Sequence, residues 1–324
     1  MPTGYIYDEL FLEHDTGSGH PERAERLRAI NQRLREKGMW DELAHLPFGP
    51  APRERIERVH TRRYVERVFK ACAASGPYVD TPDVTVSSRS AEAAQLAAGG
   101  ILAAVEAVEK GEVDNAFCAV RPPSHHAERE LAMGFCLFNH IVIAADDLIA
   151  ERGYERVAIV DFDVHHGNGT QHMLEHRSDV LFISMHEHPY YLFPGTGFAH
   201  EQGVGDGEGF TLNIPLEPGA GDDRYRQVMQ EQILPALEQF EPQFMIVSAG
   251  FDAAMTDPLA HMCVTPTGFE WITRQLKAVA QKYCQGKMVC SLEGGYELEA
   301  LAESVARHVG VLAERAVAKR SAKV

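Results

Sequence analysis

The sequence predicts an α/β protein built on a largely parallel sheet. Short apolar runs, typical of buried strands, alternate along the chain with longer segments of helical periodicity. No linker, repeat or low-complexity tract separates one part of the chain from another. We therefore expect a single domain spanning residues 1–324, with helices covering both faces of the sheet.

Six apolar runs are predicted to be the strands of this sheet. Their β-branched and aromatic content favours strands, and segments with helical patterns lie between most of them. The predicted strands are residues 115–120, 157–162, 179–185, 210–214, 244–250 and 287–292.

The helical segments are identified by apolar spacing and by capping residues. Residues 21–38 alternate charged side chains with apolar ones and end at Gly38, which suits a helix C-terminus. We interpret this segment as a surface helix with a solvated, salt-bridged face. An alanine-rich helix is expected over 90–111, after the N-cap candidate Ser90. Further helices are predicted at 139–152, 223–239, 267–283 and 297–317.

Composition excludes several classes of function. The 324 residues include 31 Lys and Arg against 47 Asp and Glu, a formal net charge of −16. Without a long basic run, direct nucleic-acid binding is not expected. Neither a membrane span nor a secretory signal is predicted. Because the six cysteines are scattered and form no CxxC pair, we expect a reduced, cytoplasmic protein. The oligomeric state cannot be predicted from this sequence.

Polar motifs directly follow four of the predicted strands. They are RPPSHH, DFDVHHGNG, AGFDA and EGGY. In open α/β sheets the functional crevice lies beyond the carboxyl ends of the strands. These motifs are therefore expected to meet there.

The DFDVHH motif suggests a metal site. Strand alternation would place Asp161, Asp163 and His165 on one side, so that Asp163 and His165 ligate one ion. Asp252 of AGFDA is the best-placed third ligand. An isolated Asp-x-His is more often a capping motif, but the combined motifs favour a metal. Two carboxylates, one imidazole and an open position suit catalytic zinc, with iron or manganese also compatible.

The remaining polar residues suggest acid–base chemistry. His125 and His126 offer a general base and a second imidazole that tunes it, with Asp161 and Asn168 as orienting acceptors. Tyr296 follows two glycines and could donate a hydrogen bond to a developing oxyanion. Taken singly, these features would also fit a surface histidine pair and a packed loop aromatic.

Six ordered motifs resemble the zinc-dependent histone deacetylase superfamily, most closely its class II branch and the bacterial histone-deacetylase-like amidohydrolases. They are RPPSHHA, GFCLFN, DFDVHHGNGTQ, FPGTG, SAGFDA…DPL and LEGGY. The resemblance runs from about Tyr5 through the C-terminal helix. It implies a single α/β domain with the arginase/deacetylase fold, whose mostly parallel sheet has about eight strands.

The resemblance also implies roles for individual residues. Zinc would be held by Asp163, His165 and Asp252. His126, paired with Asn168, would be the general base. His125, paired with Asp161, would be an electrostatic partner and proton donor, and Tyr296 would polarise the amide carbonyl. Acyl-lysine would enter a tunnel formed by Gly134, Phe135 and Phe193, with His20 near its mouth.

Structural potassium or sodium ions are a further implication of the resemblance. The inner site would use Asp161, Asp163, His165, Ser184 and Met185. The outer site would lie near Leu174, Arg177, Val180 and Phe210.

The substrate stays open between acyl-lysine and N-acetylated polyamines. Leu259, after Asp257-Pro258, stands where a polyamine-preferring relative carries a Glu that reads the distal ammonium, which favours acyl-lysine. An arginase-like ureohydrolase and a non-catalytic acyl-lysine binding module are more distant alternatives. The chain departs from the family pattern at Ser124, usually Gly, and at His140, often Asn.

Overall fold

Eight β-strands form the centre of the protein in the computed structural model, which describes residues 1–74 and 76–314. They are β1 (Thr3–Ile6), β2 (Ala44–His45), β3 (Asn115–Cys118), β4 (Val157–Asp161), β5 (Val180–Glu187), β6 (Thr211–Leu216), β7 (Phe244–Ala249) and β8 (Met288–Leu292). All six predicted strands are present, while β1 and β2 were missed.

The strands pair in parallel throughout one sheet, in the order β2-β1-β3-β8-β7-β4-β5-β6. This confirms the predicted parallel α/β architecture and the eight strands implied by the family resemblance. The four strands that precede the polar motifs, β3, β8, β7 and β4, are consecutive neighbours in this order. Their carboxyl ends therefore present the motifs side by side.

Ten α-helices accompany the sheet over the described residues. They are α1 (Glu25–Glu36), α2 (Arg53–Val59), α3 (Arg62–Ala73), α4 (Ser90–Glu109), α5 (His140–Ala150), α6 (Asn168–Leu174), α7 (Asp222–Val228), α8 (Leu234–Phe240), α9 (Pro266–Tyr283) and α10 (Leu298–Ala313).

Most predicted helices are present, with some corrections. The single helix predicted over 223–239 is wrong, because a π-helical segment, Met229–Ile233, joins α7 to α8. Helices α2, α3 and α6 were missed. The predicted end of the last helix, residues 315–317, lies outside the described residues.

Helices cover both faces of the sheet, as predicted. On β1, the hydroxyl of Tyr5 donates to Asn31 of α1, whereas the next residue, Ile6, packs against Gly100 of α4. Successive strand residues point to opposite faces, so α1 and α4 lie on opposite sides. Helix α10 packs against both α1 and α9, and α5 packs with α4.

Helix α4 is the one described helix whose length and composition would allow it to cross a membrane. It has 20 residues, and its most apolar 18-residue window has a mean hydropathy of 1.3. However, 72% of its apolar window is buried inside the protein, where it packs on α5, β1, β3 and β8. Its hydrophobicity is therefore that of a core helix.

Candidate active site

The DFDVHH segment forms a tight loop at the end of β4. The strand ends at Asp161, so the prediction that strand alternation aligns Asp163 and His165 was wrong. Instead, Oδ1 of Asp161 accepts from the backbone N–H of Asp163 at 3.0 Å. Oδ1 of Asp163 likewise accepts from the N–H of His165 at 2.9 Å. These two i to i+2 hydrogen bonds fold the loop back and gather its side chains.

Three side chains predicted to bind a metal meet at this loop. One ligand atom each from Asp163, His165 and Asp252 lies within 4.8 Å of the others, and all three residues are buried. Nδ1 of His165 lies 3.1 Å from Oδ1 of Asp163 and 3.1 Å from Oδ2 of Asp252. The structure therefore brings the three residues into the arrangement that one ion requires.

The electrostatics of this cluster favour a positive charge at its centre. Burial disfavours a charged His165, but Asp163 and Asp252 outweigh burial and raise its pKa to about 10. Burial and the nearby Asp163 raise the pKa of Asp252. Two buried carboxylates this close are destabilised unless a cation compensates them. A metal ion held by the same three side chains meets this requirement.

Two glycines allow the carboxylates to approach the backbone. A Cβ on Gly250, which follows β7, would lie 2.1 Å from Oδ2 of Asp163. A Cβ on Gly294 would lie 2.0 Å from Oδ2 of Asp252, and its N–H donates to Asp163 at 2.7 Å. Gly294 therefore allows two carboxylates to approach the backbone closely, a role that its position before Tyr296 did not predict.

His125 pairs with Asp161, as predicted. Nδ1 of His125 lies 2.9 Å from Oδ2 of Asp161, and both residues are buried. Burial alone would lower the pKa of His125, but Asp161 and Asp163 outweigh it and raise the pKa to about 10. His125 is therefore an imidazolium at neutral pH.

His126 pairs with Asn168, again as predicted. Its Nδ1 lies 2.7 Å from Oδ1 of Asn168, the first residue of α6. Burial lowers the pKa of His126 well below 6.5, and the neighbouring His125 and His165 lower it further. His126 is consequently neutral at pH 7 and able to accept a proton.

Tyr296 is held at the edge of the cluster. Its backbone N–H donates to Asp257 at 2.7 Å, and its ring meets Phe135 edge to face at 5.9 Å between centroids. Burial raises the pKa of the phenol well above 10. The hydroxyl therefore stays protonated and can donate a hydrogen bond.

Arg26 of α1 binds the backbone of the loop that carries Tyr296. It is fully buried, donates to the carbonyl oxygens of Gly295 and Glu293, and lies 5.1 Å from the centroid of the Tyr296 ring. The helix does carry the predicted solvated, salt-bridged face, with ion pairs such as Arg28–Glu25, whereas Arg26 lies buried on its opposite side. One buried arginine among many charged residues leaves no distinct signal in the sequence.

A cavity of about 430 Å³ opens beside the cluster. Its lining residues are Asp83, His126, Gly134, Phe135, His165, Leu192, Phe193, Leu259 and Tyr296. Gly134 has φ of 57°, and a Cβ there would lie 2.2 Å from Cδ2 of His126, so glycine is required. Phe135, Phe193 and Leu259 thus line one cavity together with His126 and Tyr296.

Two acidic residues near the cavity were not predicted from the sequence as site residues. Asp83 lines the cavity, and its Oδ2 accepts from the N–H of Gly134 at 2.6 Å. Glu293 is fully buried and accepts from the backbone N–H and the hydroxyl of Ser124 and from the N–H of His125. Glu293 lies within the LEGGY motif, which could have identified it as a site residue, whereas Asp83 lies in a loop that carries no motif. Ser124 thus adds a hydroxyl beneath the histidine pair.

Other predicted residues lie outside the cavity lining. The ring of His20 meets that of Phe135 at 4.7 Å between centroids, so its contact with substrate stays a prediction. His140 lies within the core, with Nε2 2.7 Å from the hydroxyl of Ser291.

Some of the residues predicted for the two structural cation sites are neighbours in the fold. Ser184 pairs in register with Asp161 across β4 and β5. The N–H of Arg177 donates to the carbonyl of Leu174, and the N–H of Phe182 to that of Phe210. Both potassium sites stay predictions.

Comparison with known proteins places this arrangement in a family. A model of the histone deacetylase domain matches residues 20–312. A probable deacetylase of Archaeoglobus fulgidus is 42% identical over 92% of this chain and 82% of that protein. A histone deacetylase-like amidohydrolase of Pseudomonas aeruginosa is 40% identical over 91% of this chain and 81% of that protein.

A solved structure shares the fold as well as the sequence. The crystal structure of the HDA15 HD domain superimposes with a TM-score of 0.92 and 40% identity, covering 96% of this chain and 89% of that one. The family match includes the loops that carry His126, Asp163, Asp252 and Tyr296. This chain therefore belongs to the histone deacetylase family and is a deacetylase, a hydrolase.

Proposed function

We propose that the protein is a zinc-dependent deacylase that removes acetyl or other acyl groups from the ε-amine of lysine. The observation that carries the proposal is a cavity with largely apolar walls, whose lining also includes His126, His165 and Tyr296. The aliphatic part of an acyl-lysine suits the rings of Phe135 and Phe193, while its amide would reach the polar end.

The donor set fits zinc. Two carboxylate oxygens and one imidazole nitrogen leave room for a fourth ligand, as in catalytic zinc sites. When bound, zinc would acidify water and polarise the substrate carbonyl. Structural potassium or sodium at the two predicted cation sites is part of the same proposal.

The remaining chemistry belongs to side chains of this chain. Neutral His126 takes the proton from the attacking water at Nε2, because its Nδ1 is engaged with Asn168. The imidazolium of His125 supplies positive charge and a proton for the departing amine. The hydroxyl of Tyr296 donates to the oxygen on which negative charge develops. The products are a carboxylate and a free amine.

A second candidate substrate class is small N-acylated amines, including acetylpolyamines. Leu259 supplies no charge at the cavity, but Asp83 places a carboxylate in the same lining. One of its oxygens accepts from Gly134, and a carboxylate can accept several hydrogen bonds. Asp83 is therefore a group that could attract a distal ammonium in place of the missing glutamate.

The test compares acetate release from an acetyl-lysine peptide and from N-acetylputrescine, with and without a zinc chelator. We expect chelator-sensitive turnover that is faster with the peptide. Faster turnover of N-acetylputrescine, abolished selectively by Asp83→Asn, would establish the second class instead. Chelator-insensitive turnover would contradict zinc dependence.

Substitution of Tyr296 separates an enzyme from a binding module. Tyr296→Phe should lower kcat by about 10²- to 10³-fold, because it removes one donor to the developing oxyanion. Tyr190→Phe is the matched control, because it removes the same hydroxyl at a residue that is 78% exposed on the surface. A non-catalytic acyl-lysine binder would have no turnover to lose.

We also propose a reducing, cytoplasmic location. Its support is that all six cysteines are free, and five of them are buried in the described structure. Cell fractionation with an antibody to the chain would test it.

A further inference from the structure

The tautomer of His126 depends on the orientation of the side-chain amide of Asn168, because its oxygen accepts hydrogen bonds and its NH₂ donates them. Oδ1 of Asn168 lies 2.7 Å from Nδ1 of His126, so Nδ1 must carry the hydrogen. Nε2 then keeps its lone pair and can accept a proton. If the amide were turned by 180°, its NH₂ would donate to Nδ1, and the hydrogen would move to Nε2. That tautomer cannot serve as the base.

The groups facing the NH₂ of Asn168 decide which way the amide points. Nδ2 donates to Oε1 of Glu128 at 2.5 Å and also approaches the carbonyl oxygen of His126 at 3.4 Å and Sδ of Met133 at 3.3 Å. All three are acceptors. An ionised carboxylate is acceptor-only and forms stronger hydrogen bonds than a neutral group, so Glu128 dominates this set.

Glu128 is itself firmly placed. Its side chain is only 17% exposed, and its Oε1 lies 2.7 Å from Nδ1 of His172 on α6. Its backbone N–H donates to Leu131, and its carbonyl accepts from Nδ1 of His60 at 2.9 Å. The carboxylate therefore meets Asn168 from a fixed position.

We propose that Glu128 is a positioning residue that fixes the amide of Asn168 and thereby selects the base-competent tautomer of His126. The inference rests on the proposed role of His126 as general base. Glu128 is absent from the residues lining the cavity and acts through Asn168 alone. Neither the family match nor the sequence motifs assigned it a role.

A double-mutant cycle distinguishes this role from a purely structural one. Glu128→Leu removes the acceptor at similar size and should lower kcat by about tenfold or more, with KM within about twofold, because base catalysis is worth 10²- to 10⁴-fold. In the Asn168→Asp background the same change should cost nothing or raise kcat. Both terminal atoms of the carboxylate in the Asn168→Asp variant are oxygens, so it accepts from His126 in either orientation. Glu128 repels this carboxylate, so the loss of Glu128 removes an unfavourable contact.

Two single variants complete the set. Glu128→Gln should recover much of the activity, because the amide oxygen of Gln can accept from Nδ2 of Asn168. Glu130→Leu is the matched control: it makes the same change at an exposed residue two positions along the chain and should leave kcat within about twofold of the parent. Equal losses for Glu128→Leu in both backgrounds would overturn the proposal.

Histidine ¹⁵N chemical shifts give a readout that does not depend on turnover. In the zinc-loaded protein without substrate, His126 should be protonated at Nδ1, and Glu128→Leu should shift it toward the Nε2–H tautomer. An unchanged tautomer in that variant would overturn the proposal even if activity fell. A changed tautomer in a protein that hydrolyses no acyl substrate would uphold it and refute the proposed function instead.

Discussion

The adjacent histidines His125 and His126 share a loop but differ in the acceptor that each one meets. His125 faces the carboxylate of Asp161, which stabilises an imidazolium. His126 faces the neutral amide of Asn168 and lies beside the charge on His125, so burial and repulsion keep it neutral. One acid and one base therefore coexist at the same pH because their environments shift their pKa values in opposite directions.

The pH dependence of turnover should reflect this difference. In the proposed mechanism His126 acts in its neutral form, and its pKa is lowered from 6.5. Activity is therefore lost only as pH falls through this lowered value. We expect kcat/KM to stay level between pH 8 and about pH 6.5 and to fall at more acidic pH. His125, with a pKa of about 10, stays protonated over this range.

Steady-state kinetics across this pH range would check the expectation. Zinc content must be measured at each pH, because protons compete with the metal for His165 and could mimic an acid limb. An acid limb centred at or above pH 6.5, with zinc fully retained, would contradict a neutral, depressed His126.

At the scale of elements, the ends of the central strands set the distances within the site. Gly250 follows β7 and leaves room for the carboxylate of Asp163. In Gly250→Ala, the Cβ would lie 2.1 Å from Oδ2 of Asp163, so the carboxylate or the strand end must move. We expect zinc content to fall well below one ion per chain and activity to fall with it.

Gly49→Ala is a suitable control for that variant. Nothing lies within 4 Å of a Cβ at Gly49, and its backbone conformation is open to other residues. Elemental analysis after gel filtration would compare the two proteins. Full zinc retention in Gly250→Ala would mean that the strand end is more adaptable than the close approach implies.

Sequence patterns predicted elements well where local signals were strong. The six apolar runs became strands because burial on both faces requires continuous hydrophobicity. By contrast, β2 is two residues long and is defined by pairing with β1, which no local pattern specifies. The π-helical segment Met229–Ile233 likewise depends on a shift in hydrogen bonding that apolar spacing does not encode.

The site was predictable to a similar degree. Motifs at strand ends identified Asp163, His165 and Asp252, although their geometry comes from hydrogen bonds within the loop and not from strand alternation. Arg26 and Asp83 reach the site from elements distant in sequence. Their roles depend on tertiary packing, so no short motif could reveal them.

At the scale of the whole molecule, we expect the carboxylates of the site to couple metal binding to folding. Asp163 and Asp252 are fully buried at the carboxyl edge of the central strands. Without a cation their mutual repulsion and burial oppose the folded state, whereas in the unfolded chain water solvates them. A metal that binds only the folded protein adds to its free energy of unfolding.

Thermal unfolding should therefore depend on zinc. At a free zinc concentration 100 times the dissociation constant, binding adds about 2.7 kcal/mol to the free energy of unfolding. For a chain of this size that corresponds to a rise in Tm of about 5 °C over the protein in chelator.

Asp252→Asn removes one carboxylate, which weakens zinc binding and reduces the repulsion in the metal-free state. Its Tm should consequently change much less between zinc and chelator, and calorimetry on both proteins would measure the two shifts. Equal Tm values for the parent with zinc and with chelator would show that the cluster neither binds the ion nor requires one.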